Sequence, residues 1–332
     1  MLKLIWICFL AAIRESWKRL RRGPVSPGRS LGLEICVEAT RKMLFEMNTW
    51  SPARMQAVAS LGMPRKLLRQ VKISTVSLAG VPAERTIARG ADNGPTLLYI
   101  HGGGMVLASP RSHRDIISHI AVAAGACVYA PDYRLAPQNP FPAGLEDVFT
   151  AYRALLDQGI QPSRLVIAGD SAGGTYTLAL LLKLREAGLP NPAAAVTICP
   201  GPDLTFPGKS WTRNITTDCL SLPVVQQWMS YYAKPDRLND PLVSPIHGQF
   251  TGFPPILVQT GTCECLYDEI TLLVEKLKAA QVDVTFEAYP GMPHVWHLYR
   301  AVTTQGDAAI QSIAEYIIAH TGQAAEIERQ HV

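Results

Sequence analysis

A pentapeptide of the pattern Gly-x-Ser-x-Gly occupies residues 169–173 and contains Ser171. An apolar run at 165–168 precedes it, and an apolar stretch with helical character follows it. The letters alone also occur in ordinary glycine-rich turns. A strand before the turn and a helix after it are what a nucleophile elbow requires, because the turn is too sharp for side chains at its flanks. The context therefore predicts that Ser171 is a nucleophile held above the edge of a sheet.

A second glycine-rich loop, His-Gly-Gly-Gly at 101–104, follows the apolar run at 96–100. Glycines in such a loop let main-chain N–H groups approach a substrate carbonyl with no side chain in the way. We expect the N–H groups of Gly103, Gly104 and Ala172 to stabilise an oxyanion. We expect His101 to anchor this loop through hydrogen bonds rather than to act as a base.

A serine hydroxyl needs a neighbouring imidazole to accept its proton. Among the eight histidines, His294 lies in a loop just beyond the last predicted strand, from which it can reach the carboxyl edge of the sheet. The chain order serine, acid, histidine then requires a carboxylate between 171 and 294. Glu264 and Asp268 both follow the apolar run at 256–259. We favour Glu264 because it lies nearer the strand end, and we expect Asp268 to begin a helix.

Short apolar runs alternate with helical stretches from residue 71 onward. The predicted strands are 71–78, 81–88, 96–100, 126–130, 165–168, 194–199, 256–259 and 282–288. The predicted helices are about 112–124, 144–157, 172–187, 268–280 and 305–320. The first two strands are predicted to form a hairpin. The alternation predicts a mainly parallel sheet of eight strands with helices on both faces.

Two segments outside this rhythm are predicted to form a helical cap. Residues 1–68 are predicted to form a helical extension. Residues 203–250 are predicted to form an insertion over the carboxyl edge of the sheet, which is the edge where open parallel sheets bind ligands. The catalytic core is then 69–202 with 251–322, and 323–332 is a flexible tail. Bulky apolar residues that could line a substrate pocket, although each also fits plain packing, are Trp211, Trp228, Tyr232, Met105, Met229, Tyr231, Trp50 and Met55.

Residues 1–22 carry six cations and one anion, so their net charge is +5 and the other 310 residues sum to −1. The rest of the chain therefore lacks the excess of positive charge that is typical of nucleic-acid-binding proteins. Apolar side chains in 1–22 recur at three- and four-residue spacing, which predicts an amphipathic helix. Two alternatives remain open for it, a cap helix lying on the protein's own surface and contact with a membrane interface. The apolar run at 4–13 is too short to span a bilayer, and no cleavage pattern follows it cleanly.

The seven cysteines are scattered, with no spacing typical of a secreted disulfide framework, so we expect reduced thiols. The pair Cys263 and Cys265 lacks the two-residue gap of zinc knuckles, and we predict no metal site. We expect a cytoplasmic protein, with membrane association through residues 1–22 left open.

The ordered motifs resemble those of the hormone-sensitive-lipase-like branch of the α/β-hydrolases, also called bacterial family IV carboxylesterases. The resemblance covers roughly residues 70–320. Its motifs are the 101–104 loop, Asp-Tyr-Arg-Leu-Ala-Pro-Gln-Asn-Pro-Phe-Pro-Ala at 132–143, Gly-Asp-Ser-Ala-Gly-Gly at 169–174, Asp-Pro-Leu-Val-Ser-Pro at 240–245, the 261–268 stretch and Pro-Gly-Met-Pro-His at 290–294. Family members often have Glu-His where Gln138 and Asn139 stand, and commonly Asp where Glu264 stands. The resemblance implies an α/β-hydrolase fold with a helical cap, and Glu264 as the triad acid.

The resemblance also implies a cofactor-free serine carboxylesterase that acts on small ester substrates with short to medium acyl chains. The same machinery would serve a deacetylase or a lactonase. An alternative of another class is a non-catalytic small-molecule receptor on a hydrolase scaffold. A homodimer is left open.

Overall fold

The computed structural model describes the backbone of residues 2–61, 69–91 and 93–329. The predicted boundary of the extension at residue 68 lies outside the described residues, as do the last three positions of the predicted tail, 330–332.

One sheet of eight strands forms the centre of the molecule. The strands are β1 Val71–Leu78, β2 Val81–Ala88, β3 Thr96–Ile100, β4 Cys127–Pro131, β5 Leu165–Asp170, β6 Ala194–Ile198, β7 Ile256–Gly261 and β8 Val284–Tyr289. Their order is β1-β2-β4-β3-β5-β6-β7-β8. The β1–β2 and β2–β4 pairs are antiparallel, and all other pairs are parallel. The predicted mainly parallel sheet of eight strands is confirmed, and the predicted strand ends lie within two residues of the observed ones.

Ten α-helices accompany the sheet in the described part of the chain. They are α1 Leu2–Arg22, α2 Leu31–Met47, α3 Pro52–Ala59, α4 Pro110–Ala124, α5 Ala143–Asp157, α6 Ala172–Glu186, α7 Ser210–Arg213, α8 Leu222–Tyr232, α9 Tyr267–Ala279 and α10 Thr304–Arg329. Every residue of the central strands β3, β5, β6 and β7 is buried. A strand buried along its whole length must be covered on both faces, which explains its unbroken apolar run.

Helix α10 corrects one prediction. Instead of ending near residue 320, it continues to Arg329, so most of the predicted tail 323–332 is helical. The sequence after Gly322 consists largely of strong helix formers such as alanine and glutamate and contains no proline, so nothing stops the helix.

Helix α1 packs against α2, but not with the face that its apolar pattern suggested. Ala11 and Glu15 are buried, and Arg14 and Arg19 pair with Glu38 and Glu34 of α2. The apolar stripe lies on the opposite side and is exposed. Of the two alternatives for this helix, α1 does lie on the protein's own surface, but the face that it buries is opposite the stripe, and membrane contact stays open. The buried face is the opposite one because small and charged side chains, rather than bulky apolar ones, complement the polar flank of α2. No helix in the described part of the chain is long and apolar enough to cross a membrane.

Candidate active site

Ser171 lies between the last residue of β5 and the first residue of α6, with φ +53° and ψ −120°. A non-glycine residue with positive φ is strained, and such strain concentrates at functional sites. The turn is held tight by its glycines. A Cβ on Gly169 would stand 2.3 Å from the carbonyl oxygen of Gly173, and one on Gly173 would stand 1.9 Å from that of Ile100. The two glycines of the Gly-x-Ser-x-Gly pattern are thus required because a side chain at either position would collide with the backbone. The tight turn that they allow places Ser171 above the sheet.

Three side chains form a hydrogen-bonded row at this point. The Ser171 Oγ lies 2.9 Å from Nε2 of His294, and Nδ1 of His294 lies 2.8 Å from Oε2 of Glu264. A carboxylate can only accept, so we assign the proton to Nδ1, which leaves Nε2 to accept from the serine hydroxyl. Glu264 has no solvent exposure, and its other oxygen accepts from Thr260 Oγ1 and from the N–H of Gly261. The imidazole is therefore held in the orientation that lets it take a proton from Ser171.

Parallel strands bring these residues together. Glu264 follows β7 and His294 follows β8, and these two strands are neighbours in the sheet. The alternative acid, Asp268, lies in the first turn of α9 and pairs with Arg213, as expected for a residue that begins a helix.

The electrostatic surroundings of His294 favour its protonated form. Burial lowers its pKa, but the hydrogen bond and charge of Glu264, together with the charges of Asp218 and Asp170, raise it by more, so the net shift is upward. An imidazole with a raised pKa is a stronger base, and its cation is stabilised when a proton arrives.

The 101–104 loop passes beside the serine. Gly103 and Gly104 both have positive φ, +114° and +62°, and both line a cavity with Ser171. A Cβ on Gly104 would stand 2.5 Å from the indole of Trp228. Within the described part of the chain, no group accepts a hydrogen bond from the N–H of Gly103, Gly104 or Ala172. The three predicted donors are therefore available for a ligand.

Buried polar contacts hold this loop in place. The Asp170 carboxylate accepts from the N–H of Gly102 and from Tyr99 Oη, at 3.1 and 2.8 Å, and lies 3.4 Å from Nε2 of His113. Burial disfavours the Asp170 charge, but the charge and hydrogen bond of His113 and the hydrogen bond from Tyr99 prevail and lower its pKa to about 2. Asp170 therefore stays ionised and links the elbow to the loop.

His101 occupies the position expected of a loop anchor. Its Nδ1 lies 2.7 Å from the carbonyl oxygen of Gly102, and its ring stacks on Tyr133 with centroids 4.2 Å apart. Burial lowers its pKa to about 3, so the ring is neutral.

Two cavities open beside Ser171. The larger, of about 470 Å³, is lined by α2, the segment after α3, the glycine loop, α4 and the His294 loop. The smaller, of about 40 Å³, lies under α8. Of the predicted pocket residues, Trp228 lines both cavities, whereas Trp211, Met105 and Met229 line the smaller one.

The other predicted pocket residues do not line either cavity. Tyr232 is one helical turn beyond Trp228, and there it packs on the rings of Tyr176 and Phe141. Its assignment to the pocket is therefore wrong, because its ring completes the packing between the insertion and the core. Residues Tyr231, Trp50 and Met55 also lie outside the two cavities.

Asp218 is a residue of this site that was not predicted from the sequence. Asp218, in the insertion, is fully buried and accepts hydrogen bonds from the N–H groups of Cys219, Cys265 and His294. It ties the loop after β7 to the loop after β8. Its partners are backbone groups, which leave no signal in the amino-acid pattern.

A group with the side chains of metal ligands also lies here. The potential ligand atoms of Cys199, Glu264 and His294 are within 4.8 Å of one another. The imidazole in this group is already hydrogen-bonded to the carboxylate through Nδ1 and to Ser171 through Nε2. We therefore assign the imidazole to proton transfer and the carboxylate to orienting it, rather than either to a metal ion.

A mostly parallel sheet with a strained serine after β5, and an acid and a histidine after β7 and β8, defines the α/β-hydrolase class. The family model described as alpha/beta hydrolase fold matches residues 97–298. An acetyl-hydrolase of Streptomyces hygroscopicus is 45% identical over 235 residues, covering 70% of this chain and 78% of its own. An esterase of Acinetobacter venetianus is 35% identical over 248 residues, covering 74% and 82%.

The chain is also similar to solved structures of esterases. A mutant of the esterase E40 is 38% identical, with a TM-score of 0.80 over 85% of this chain and 96% of its own. An esterase from the bacterial hormone-sensitive lipase family is 35% identical, with a TM-score of 0.76 over 97% and 99%. The chain belongs to the α/β-hydrolase family, in its hormone-sensitive-lipase-like group, and is a carboxylic ester hydrolase. The predicted family, fold and enzyme class are confirmed.

Proposed function

We propose that the chain hydrolyses carboxylic esters with short to medium acyl chains through an acyl-enzyme on Ser171. The observation that carries this proposal is the row from Ser171 Oγ to His294 to Glu264, with separations of 2.9 and 2.8 Å. Distances in this range are those over which a proton moves between a nucleophile and its base.

The first half of the reaction forms the acyl-enzyme. His294 Nε2 takes the hydroxyl proton while Ser171 Oγ attacks the acyl carbon. Glu264 fixes the tautomer and stabilises the imidazolium. The imidazolium then gives its proton to the leaving alcohol oxygen as the ester C–O bond breaks. In the second half, a water molecule loses a proton to the same imidazole and attacks the acyl carbon. The imidazolium then gives this proton to Ser171 Oγ as the bond between Oγ and the acyl carbon breaks, which releases the acid and restores the serine.

Stabilisation of the tetrahedral intermediates is assigned to three main-chain donors. The N–H groups of Gly103, Gly104 and Ala172 have no acceptor within the described part of the chain. Such preorganised donors are typically worth about 3–4 kcal/mol each at the transition state.

The two cavities suggest how a substrate lies. The smaller one, at about 40 Å³, adjoins both Ser171 and Ala172, whose N–H is an expected oxyanion donor. We place the acyl chain there and the alcohol in the 470 Å³ cavity, which has the size of a typical small-molecule site. This arrangement favours short acyl groups and tolerates varied alcohols.

Removal of acetyl groups is a second candidate function. The small acyl cavity suits an acetyl group, and the Streptomyces hygroscopicus relative is named an acetyl-hydrolase. A lactonase would use the same row of side chains. A non-catalytic receptor role is disfavoured because nucleophile, base and acid are all within hydrogen-bond distance of their partners.

The decisive experiment compares p-nitrophenyl esters of increasing acyl length with acetylated amides and lactones. We expect turnover of the esters to be fastest at short acyl length and to be abolished in Ser171→Ala. Glu264→Gln should lower kcat by about 10²–10⁴-fold, since it keeps the shape but loses the charge that orients the imidazole.

Asp268→Asn is the matched control, because Asp268 lies on the same stretch but contacts Arg213 and the N–H of Ser210 rather than His294. It should keep near-normal kcat. Normal turnover by Ser171→Ala would refute the mechanism, and preference for an amide or a lactone would replace the substrate class.

A further inference from the structure

Helix α1 exposes a continuous apolar stripe to solvent. The exposed fractions of its side chains are 58% for Trp6, 52% for Phe9, 54% for Ile13, 57% for Trp17 and 86% for Leu20. At 3.6 residues per turn these positions fall within an arc of about 100°. Single exposed apolar residues are ordinary, but a row of five that includes three aromatic rings marks an interaction surface.

The exposed stripe is not the face through which α1 packs against the rest of the protein. Ala11 and Glu15, on the opposite side of α1, are buried against α2. Two ion pairs, Arg14 with Glu38 and Arg19 with Glu34, fix this orientation at 3.0 and 3.2 Å. The helix is therefore held by its polar side, and this contact directs the stripe away from the protein.

The helix that carries the stripe is also strongly cationic. Residues 1–22 have a net charge of +5, whereas the remaining 310 residues sum to −1. Arg21 lies over the ring of Trp17, 3.3 Å from its centroid. Neither Arg21 nor Arg22 has a carboxylate partner among the residues that the structure describes, and both are exposed. Their charge is available to a partner of opposite sign.

We propose that α1 docks the protein on a lipid surface that carries anionic headgroups, with the stripe inserted into the interface. The axis of α1 then lies in the membrane plane, since no described helix can span a bilayer. The stripe begins with Trp6 and has Trp17 near its other end, with Arg21 beside it, and this is the composition that interfacial helices use. A second copy of the chain fits less well, because two such stripes facing each other would bring together two helices that stay positively charged even after their ion pairs with Glu34 and Glu38.

The docked helix would also orient the active site. The ion pairs show that α1 and α2 run antiparallel, so the end of α1 with Trp6 lies toward the end of α2 with Leu44. Leu44 and Thr40 line the large cavity above Ser171. One helix of this pair thus carries the lipid-facing stripe while the other borders the substrate cavity.

Vesicle co-sedimentation of the full-length protein tests the proposal. We expect binding to vesicles of phosphatidylcholine with phosphatidylserine to be about tenfold tighter or more than to phosphatidylcholine alone, and to weaken with salt. The combined variant Trp6→Ser, Phe9→Ser, Trp17→Ser should lose this binding. Leu272→Ser with Ile318→Ser, which removes exposed apolar side chains from α9 and α10, is the matched control and should bind as the wild type does.

A charge variant, Arg21→Glu with Arg22→Glu, alters only exposed groups and should lower binding to anionic vesicles while hydrolysis of a soluble ester stays normal. Ser171→Ala should bind vesicles normally, so the docking is tested independently of the chemistry. Equal binding to both kinds of vesicle, or full binding by the stripe variant, would overturn the proposal. A wild-type dimer that the stripe variant converts to a monomer, without vesicle binding, would assign the stripe to a second copy instead.

Discussion

Asp218 joins the two loops that carry Glu264 and His294, although it belongs to the insertion. Its Oδ1 accepts from the N–H groups of Cys219 and His294, at 2.7 and 2.9 Å, and its Oδ2 accepts from that of Cys265 at 2.7 Å. Burial and the charge of Glu264 raise the pKa of this carboxyl on balance, although the His294 charge and the N–H donors of Cys265 and His294 oppose the rise. Since all three partners are donors, the site fits the ionised form.

We predict that Asp218→Asn destabilises this edge of the sheet. The amide oxygen can take the Oδ1 position and keep two of the hydrogen bonds, but the amide NH₂ then faces the N–H of Cys265. Hydrogen bonds to charged groups contribute about 1.5–3 kcal/mol, and a buried donor without an acceptor costs about 1–3 kcal/mol. We therefore expect the free energy of unfolding to fall by about 2–4 kcal/mol.

The same substitution should also move the pH dependence of catalysis. The Asp218 charge helps to raise the pKa of His294, alongside Glu264 and Asp170. Because the base must be neutral to accept the serine proton, activity falls as the pH drops through this pKa. Removing the Asp218 charge lowers the pKa, so the acidic limb of kcat/KM should move to lower pH. A purely structural loss would reduce the amplitude without moving the limb.

Urea unfolding and a pH profile with a soluble nitrophenyl ester measure the two effects. Asp268→Asn is the control, because its pair with Arg213 is partly exposed and contributes no more than about 1 kcal/mol. The control should change the unfolding free energy little and leave the acidic limb in place. If Asp218→Asn behaves like the control in both measurements, Asp218 does not position the loops.

Three further outcomes are expected. Val225→Ala widens the small cavity and should therefore raise the turnover of longer acyl esters relative to acetyl esters. Val224 is buried beside Val225 but does not line the cavity, so Val224→Ala should leave this ratio unchanged. Gly173→Ala should lower the unfolding free energy in urea by about 3 kcal/mol or more, because its Cβ meets a backbone oxygen, whereas Gly322→Ala, with open space around it, should not. In the wild type, kcat/KM should rise with pH through a pKa above 6.5, the ordinary value for His294, and a limb below that value would contradict the assigned surroundings.

The chemistry at Ser171 was open to prediction because each part depends on local sequence. An elbow needs a strand, a tight turn and a helix in succession, and all three leave their mark in residues 165–187. The preference for Glu264 over Asp268 followed from distance to the strand end, and the structure places only Glu264 against the imidazole. Parallel strands turn such linear positions into neighbours at one edge.

Features that depend on contacts between distant segments were not predictable. The spacing of apolar residues in α1 predicts the stripe but not the direction in which it points. That direction is determined by the ion pairs with Glu34 and Glu38. Tyr232 has the chemistry of a pocket residue, and only the position of Tyr176 places its ring in the packing instead. For Asp218, the partners are backbone N–H groups brought close by the fold.

Hydrogen bonds from the extension and the insertion converge on the loops that hold the acid and the base. Arg29 donates to the carbonyl oxygens of Thr217 and Gly291, at 2.8 and 3.3 Å, and Asn214 Nδ2 donates to that of Glu264 at 2.7 Å. If the extension and the insertion lifted together as a rigid lid, the bonds to Gly291 and Glu264 would break and the loop that carries His294 would be released. The extension and the insertion are therefore part of the framework of the active site, and substrates are expected to enter through the open 470 Å³ cavity between α2 and α4 rather than by displacement of these segments.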